Sequence, residues 1–134
     1  TLHELLNQVR PGNYLSIMAY LRQTPEVDQA MAELRQGVMK RCHIATALGY
    51  GPRFLHSTGQ LHKGGPATGL FLQVTTDGDQ EIPIPGKPYT FGILADAQAL
   101  GDLQVLISLG LPVAKVHLSS MNGVTLRGLA QELT

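Results

Sequence analysis

Residues 69–76 read GLFLQVTT, and this short apolar run is the clearest strand signal in the chain. Branched and aromatic side chains favour extended backbone, and a run of this size is an ordinary strand. Its apolar residues follow one another without strict alternation, which is typical of a strand that is buried on both faces. We therefore predict a central strand of a covered sheet over these residues.

Three more runs have the same character, and segments with helical spacing separate them. The runs are 14-YLSIMAYL-21, 43-HIATALGY-50 and 113-VAKVHL-118. Strands that alternate with helices along a chain favour parallel pairing, with helices covering both faces of the sheet. The sequence therefore predicts an α/β fold in a single domain over residues 1–134.

Two helices have clear start signals. Thr1 and Glu4 stand at the spacing of a capping box, and Thr24 is a cap that Pro25 follows in the first turn. The apolar residues at helical spacing are Leu2, Leu5, Leu6 and Val9 in the first helix, and Val27, Ala30, Met31, Leu34 and Val38 in the second. Because a chain that starts at a helix cap looks like a domain cut from a longer protein, we expect further domains before Thr1.

A third helix is predicted from Thr90 onwards, and a short fourth helix near the end of the chain. Their periodic apolar residues are Ile93, Leu94, Ala97, Leu100 and Leu103, and then Leu126, Leu129, Ala130 and Leu133. Residues 77–90 form a long connection that includes 83-PIPGKP-88, and connections of this length are usually functional loops. We expect Asp96 and Asp102 on the surface of the third helix.

The charge balance excludes some classes of partner. Ten basic and ten acidic residues cancel, so the chain has no electrostatic footprint for nucleic acid or for an anionic membrane. No apolar run approaches the roughly 20 residues that span a bilayer. The single cysteine, Cys42, has no partner for a disulfide or a zinc site, and we expect a cytoplasmic location.

The stretch 56-HSTGQLHKGG-65 concentrates hydrogen-bonding side chains just after the second predicted strand. Parallel sheets bind ligands outside the carboxyl ends of their strands. Histidines there could move protons, basic side chains could hold a phosphate or carboxylate, and glycines would admit backbone amides to such an anion. The residues of this candidate site are Arg53, His56, Ser57, Thr58, Gln60, His62, Lys63, Gly64 and Gly65. On the residues alone, a solvated polar loop remains the alternative.

Motifs for other chemistries are missing from the sequence. No dinucleotide fingerprint follows the first strand, and residues 59–65 lack the order of a nucleotide-binding P-loop. No HExxH motif or Cys/His cluster accompanies the histidines, so no metal site is expected. We interpret His3, His43 and His117 as structural residues.

Residues 49-GYGPRFLHSTGQLHKGGPATGLFLQVTTDG-78 and 83-PIPGKPYTFGILADAQALGDLQ-104 resemble the C-terminal sugar-isomerase (SIS) domain of phosphoglucose isomerase. The form is that of the bifunctional transaldolase/phosphoglucose isomerase proteins, and the similarity extends over essentially the whole chain. LHSTGQLHKGGP is its most specific part. The resemblance implies a flavodoxin-like, three-layer α/β/α sandwich and an enzyme of carbohydrate metabolism, in glycolysis, gluconeogenesis or the pentose phosphate pathway.

The resemblance also implies a reaction and roles for single residues. The reaction would convert glucose 6-phosphate to fructose 6-phosphate through ring opening and a cis-enediol, without a cofactor. In the family, a histidine directly after Gly-Gln opens the ring; here one residue intervenes, so His62 is the first choice for that role and His56 the second. Arg127 lies one position before the place of a substrate-contacting lysine in the family.

Other parts of the family's site belong to its N-terminal SIS domain, which supplies the glutamate base and the main phosphate-binding loop. The chain by itself is therefore expected to be inactive. The implied partners are a sugar-phosphate substrate, an N-terminal SIS domain and a transaldolase domain of the same polypeptide, and a homodimer is consistent with them. The alternative function is a non-catalytic sugar-phosphate-binding module or a dimerisation module.

Overall fold

A computed structural model of the chain describes residues 1–51, 68–76, 83–89, 91–118 and 128. The elements follow the order predicted from the sequence. They are α1 (Leu2–Leu6), β1 (Tyr14–Tyr20), α2 (Pro25–Cys42), β2 (Ala45–Tyr50), β3 (Gly69–Thr76), α3 (Phe91–Ser108) and β4 (Val113–Leu118). Of the predicted fourth helix, Gly128 is described, and the apolar residues that predicted the helix lie outside the described residues.

The four described strands form one sheet in the order β2-β1-β3-β4, and every neighbouring pair is parallel. From β1 the chain crosses to β2 on one side, and from β3 it crosses to β4 on the other side. The switch point of the sheet therefore lies between the carboxyl ends of β1 and β3, where α/β proteins of this kind bind their ligands.

Helices cover both faces, which confirms the predicted α/β fold with a parallel sheet. On one face, α1 and α2 pack on apolar side chains of β1, β3 and β4. Both helices begin as the sequence predicts: the full capping box of Thr1 and Glu4 is present, and Thr24 Oγ1 accepts a hydrogen bond from the Val27 amide. On the other face, α3 packs through Ala99 and Leu106. Among the described helices, none combines the length and apolar character that a membrane crossing needs.

The start of the second strand differs from the prediction. His43 does not belong to β2 but ends α2, with a left-handed backbone (φ 55°) and an amide that donates to the Met39 carbonyl. Such caps usually carry glycine, so the sequence gives little warning of this one. β2 is also an edge strand among the described strands, and Ala45 and Ala47 are exposed on the α3 side, so the predicted full burial is wrong for this strand.

The buried side of α3 also differs from what the apolar spacing suggests. Ile93 and Leu100 are 55% and 50% exposed, whereas Ala99, Asp102 and Leu106 are buried. The prediction that Asp102 lies on the helix surface is therefore wrong. Apolar residues occur on all sides of this helix, so periodicity alone does not identify the side that packs on the sheet.

Two glycines give opposite predictions for stability. A Cβ at Gly69 would lie 2.7 Å from the Phe71 ring and 2.8 Å from the Tyr14 ring, and these two rings already pack edge to face. We expect Gly69→Ala to lower the free energy of unfolding by about 1–3 kcal/mol, because the packed rings must shift.

Gly101 provides the matched control, since a Cβ there meets nothing within 4 Å on the exposed side of α3. Gly101→Ala should raise the free energy of unfolding by about 0.5–1 kcal/mol, because alanine is the better helix former. Urea unfolding measures both variants. A Gly69→Ala protein as stable as the parent would contradict the packing described at the start of β3.

Candidate functional site

The residues that the sequence assigns to a site lie outside the described part of the chain, between Gly51 and Thr68. They are Arg53, His56, Ser57, Thr58, Gln60, His62, Lys63, Gly64 and Gly65. Arg127 is also outside it. The roles of all of these residues remain predictions.

The described residues fix both ends of that segment. After β2, the Gly51 amide still donates a 2.8 Å hydrogen bond to the Ala19 carbonyl of β1, at the carboxyl edge of the sheet. Before β3, the Thr68 carbonyl accepts hydrogen bonds from the Tyr14 amide and from Asn13 Nδ2, at the amino edge. Residues 53–65 therefore follow, in the sequence, directly after a strand end at the ligand-binding edge of the fold.

Three polar side chains lie side by side at this carboxyl edge. Tyr20 of β1 pairs in register with Thr75 of β3, and Thr75 pairs with His117 of β4. Laterally paired residues of parallel strands share one face of the sheet, and Tyr20 packs in the α3 cluster. This carboxyl-edge row, Tyr20–Thr75–His117, is thus on the α3 face, beside the switch point between β1 and β3.

A hydrogen bond orients the imidazole of the row. Thr75 Oγ1 and His117 Nδ1 are 2.8 Å apart, with Thr75 buried and His117 exposed. A hydroxyl can donate or accept, so this contact persists in either tautomer of the ring and in its protonated form. The row therefore presents an oriented, solvent-accessible imidazole at the carboxyl edge of the sheet.

His117 is the residue of this row that sequence reasoning placed among structural histidines. The alternation in 113-VAKVHL-118 is the available signal. Lys115 and His117 are exposed, whereas Ala114 and Leu118 between and beyond them are buried. A half-exposed strand would have indicated that His117 reaches solvent.

At the other end of the row, Tyr20 binds a carboxylate from α3. The Tyr20 hydroxyl donates a hydrogen bond to Asp102 Oδ2, and both side chains are buried. Burial, together with the hydrogen bond to Asp102 and its negative charge, raises the pKa of Tyr20 well above its usual value. Tyr20 therefore remains a neutral phenol at any physiological pH, and its role is to hold α3 on the sheet.

Gln73 makes a second polar contact with α3. Its side chain is fully buried next to the row in β3, and Nε2 donates a 2.7 Å hydrogen bond to the Ala99 carbonyl. Gln73 Oε1 has no hydrogen-bond partner among the described residues. The sequence shows Gln73 in an otherwise apolar strand, but it does not show that the Ala99 carbonyl, far along the chain, is its hydrogen-bond partner.

The amino end of α2 also lies at the carboxyl edge, but its charges oppose an anion. Glu26 and Asp28 lie in its first turn, where carboxylates already complement the helix dipole. The carboxylate of Asp28 accepts hydrogen bonds from the Tyr50 hydroxyl (2.5 Å) and from Gln23 Nε2 (3.2 Å). A phosphate at this helix end would meet two negative charges, which disfavour its binding there.

Metal chemistry has no support in the described residues. Across 1–51, 68–76, 83–89 and 91–118, no three His, Cys, Asp or Glu side chains come together as ligands would. Cys42 is a free, partly buried thiol in the last turn of α2.

The comparison with solved structures agrees with this fold. A crystal structure of a hypothetical protein from Thermus thermophilus is similar, with a TM-score of 0.80 and 18% sequence identity. The match covers 98% of this chain but 36% of that chain, so the chain spans about a third of that protein's length. At this identity the similarity establishes the α/β fold and no activity. No protein-family model and no curated protein matches the chain.

Because of the Tyr20–Asp102 contact, the free energy of unfolding should decrease at alkaline pH. The pKa of Tyr20 is higher in the folded protein than in the unfolded chain, where it is about 10. The contribution of Tyr20 to the free energy of unfolding is therefore complete below about pH 10 and is lost as the pH rises toward the pKa of the folded state. Above pH 10 the free energy of unfolding should therefore fall by about 1.4 kcal/mol per pH unit for this one group.

Tyr20→Phe removes that ionisation, so the slope between about pH 10 and 11 should be shallower by about the same amount. At pH 7 the variant should be less stable by about 1–3 kcal/mol, because the phenol donor to Asp102 is gone. Urea unfolding at several pH values measures both effects. Parallel stability curves for the two proteins up to pH 11 would show that Tyr20 ionises normally and that the contact is not formed.

Proposed function

We propose that the chain is the C-terminal sugar-isomerase domain of a glucose-6-phosphate isomerase and contributes part of a sugar-phosphate site. The support is the resemblance of residues 49–78 and 83–104 to that domain. The structural observation that carries it furthest is the end of β2. There the Gly51 amide is still bonded to β1 at the carboxyl edge, and the candidate segment 53–65 follows in the sequence.

The isomerisation requires side chains that carry protons and side chains that hydrogen-bond to the sugar hydroxyls. Opening the hexose ring requires a proton on the ring oxygen and removal of the proton from the anomeric hydroxyl. His62 is the proposed proton carrier in ring opening, and His56 is the second choice. Ser57, Thr58 and Gln60 would contact sugar hydroxyls. After ring opening, a base takes a proton from one of carbons 1 and 2 and the other carbon receives one, so no net oxidation occurs and no redox cofactor is required.

The anion contacts in the proposal come from the same segment. Arg53 and Lys63 would contact the phosphate, and Gly64 and Gly65 would let backbone amides approach it. The acidic first turn of α2 supports a site that is completed elsewhere, because Glu26 and Asp28 disfavour a phosphate at the helix end that a parallel α/β domain most often uses. The carbon base and the main phosphate contacts would therefore come from another domain.

The first test is mutational, in the full-length gene product. His62→Ala should lower kcat/KM for glucose 6-phosphate by roughly 100- to 10,000-fold, the usual contribution of a positioned general acid or base. His3→Ala is the matched control, since His3 is exposed on α1 and contacts Arg41. It should leave turnover unchanged. If His62→Ala and His56→Ala both keep normal turnover, the assignment of ring opening to this segment is wrong.

The second test uses the 134-residue chain alone. A chain that holds only part of the active site should show no isomerase turnover at any protein concentration, because the base that takes the proton from carbon belongs to another domain. Calorimetry with fructose 6-phosphate separates the alternatives: binding by a chain whose full-length product shows no isomerase activity favours a sugar-phosphate-binding module. Turnover by the isolated chain would contradict the division of the site between domains.

A further inference from the structure

His117 differs from the other side chains at the carboxyl ends of the strands. Of the last two residues in each of the four described strands, His117 is exposed, whereas the others are buried or half-buried. Tyr20 and Thr75, its neighbours in the carboxyl-edge row, are both buried. Because parallel sheets bind ligands outside these strand ends, an exposed polar side chain there is in position to contact a ligand.

Helix α3 covers β3 but leaves the same side of β4 exposed. Gln73 and Thr75 of β3 are 0% and 5% exposed. Their register partners on β4, Lys115 and His117, are exposed. Register partners share a face of the sheet, so the boundary between covered and open surface runs between β3 and β4. His117 lies at that boundary, at the carboxyl edge.

Thr75 determines how the imidazole of His117 lies. Thr75 Oγ1 and His117 Nδ1 are 2.8 Å apart. The hydroxyl belongs to a buried side chain in a strand that is paired on both edges, so its position is fixed. An exposed side chain otherwise exchanges among its rotamers, and ordering it on binding lowers the affinity for a ligand. The contact therefore pre-organises His117 before a ligand binds.

The distance between His117 and the switch point suits a ligand that binds there. The switch point lies between β1 and β3, and β4 is the next strand beyond β3. Because neighbouring strands are about 4.8 Å apart, β4 lies one and a half spacings, or about 7 Å, from the middle of the switch point. An open-chain hexose phosphate is longer than this distance, so one molecule at the switch point can reach His117.

The partner of Nδ1 favours a sugar hydroxyl over a phosphate as the ligand group. The Thr75 hydroxyl is neutral and can donate or accept, so it does not restrict the neutral ring to one tautomer. When Nδ1 accepts a hydrogen bond from Thr75, Nε2 is a donor, and when Nδ1 donates, Nε2 is an acceptor. A sugar hydroxyl matches both forms of Nε2, whereas a phosphate oxygen matches the donor form alone.

We propose that His117, oriented by Thr75, contacts a hydroxyl group of the sugar chain in the bound sugar phosphate. This role rests on the proposed function and adds a binding residue that the resemblance does not assign. Thr75 is a positioning residue, because it acts through His117.

Steady-state kinetics of the full-length gene product tests the contact. His117→Ala should raise KM for fructose 6-phosphate by about 3- to 10-fold with little change in kcat, because a hydrogen bond common to ground state and transition state is lost. Thr75→Val should raise KM at least about twofold, and Thr75→Ser, which keeps the hydroxyl, should not. In the His117→Ala background, Thr75→Val should have no further effect on KM. His3→Ala is again the control and should leave KM unchanged.

Chemical modification measures the contact without relying on turnover. Diethyl pyrocarbonate acylates accessible imidazoles, and peptide mass spectrometry of the full-length product gives the rate at each histidine. At a fructose 6-phosphate concentration ten times its Kd, one site in eleven is empty, so the rate at His117 should fall about 10-fold. His43 is the matched control, because it is exposed but lies before β2, at the amino edge of the sheet. Its rate should not change, and inorganic phosphate alone should leave the rate at His117 unchanged.

The modification pattern separates a wrong role for His117 from a wrong function for the domain. If fructose 6-phosphate protects His62 but leaves His117 as reactive as before, the isomerase site stands and His117 does not belong to it. An unchanged KM in His117→Ala would contradict the contact in the same way. If inorganic phosphate protects His117 as well as the sugar phosphate does, the assignment to a sugar hydroxyl is wrong. A full-length product that neither binds nor isomerises the sugar phosphate would overturn the proposed function and this role together.

Discussion

The parallel pairing of β1 with β3 is the constraint on which the other features depend. Both strands have neighbours on each edge and helices on each face, and their apolar side chains are buried throughout. Since the two crossovers leave these strands in opposite directions, the switch point must lie at their carboxyl ends. The same register places Tyr20 beside Thr75, and the pairing of β3 with β4 adds His117 to the row. The position of the switch point and the Tyr20–Thr75 part of the polar row therefore follow from the β1–β3 pairing.

Two polar contacts then determine how α3 lies on the sheet. An apolar helix with no preferred side could pack in several rotations, all of similar hydrophobic gain. The Tyr20–Asp102 and Gln73–Ala99 hydrogen bonds are satisfied in one of them. Buried polar groups are costly when unpaired, so these contacts select a single rotation. That rotation leaves Ile93, Leu100 and Ile107 exposed on the outward side of α3. The buried hydrogen bonds that hold α3 on the sheet thus determine which of its apolar side chains are exposed.

The sequence predicts much of the fold because local signals and burial agree. β3 and β4 have the predicted bounds, and α2 buries the predicted residues from its Thr24 cap onward. The prediction fails where a distant contact decides. His43 closes α2 in a left-handed conformation that the sequence does not signal, and Asp102 is buried because Tyr20, far away in the chain, binds it. Of the candidate site, the carboxyl edge could be predicted from strand alternation, whereas the Thr75–His117 contact required the strand register.

The proposed function of this domain is to contribute to the interconversion of two sugar phosphates through an enediol. The most direct measurement incubates the full-length gene product with fructose 6-phosphate in D2O and follows the sugars by NMR. The predicted result is glucose 6-phosphate with deuterium at carbon 2, because in D2O the enediol receives a deuteron at that carbon. The absence of any glucose 6-phosphate would contradict the account.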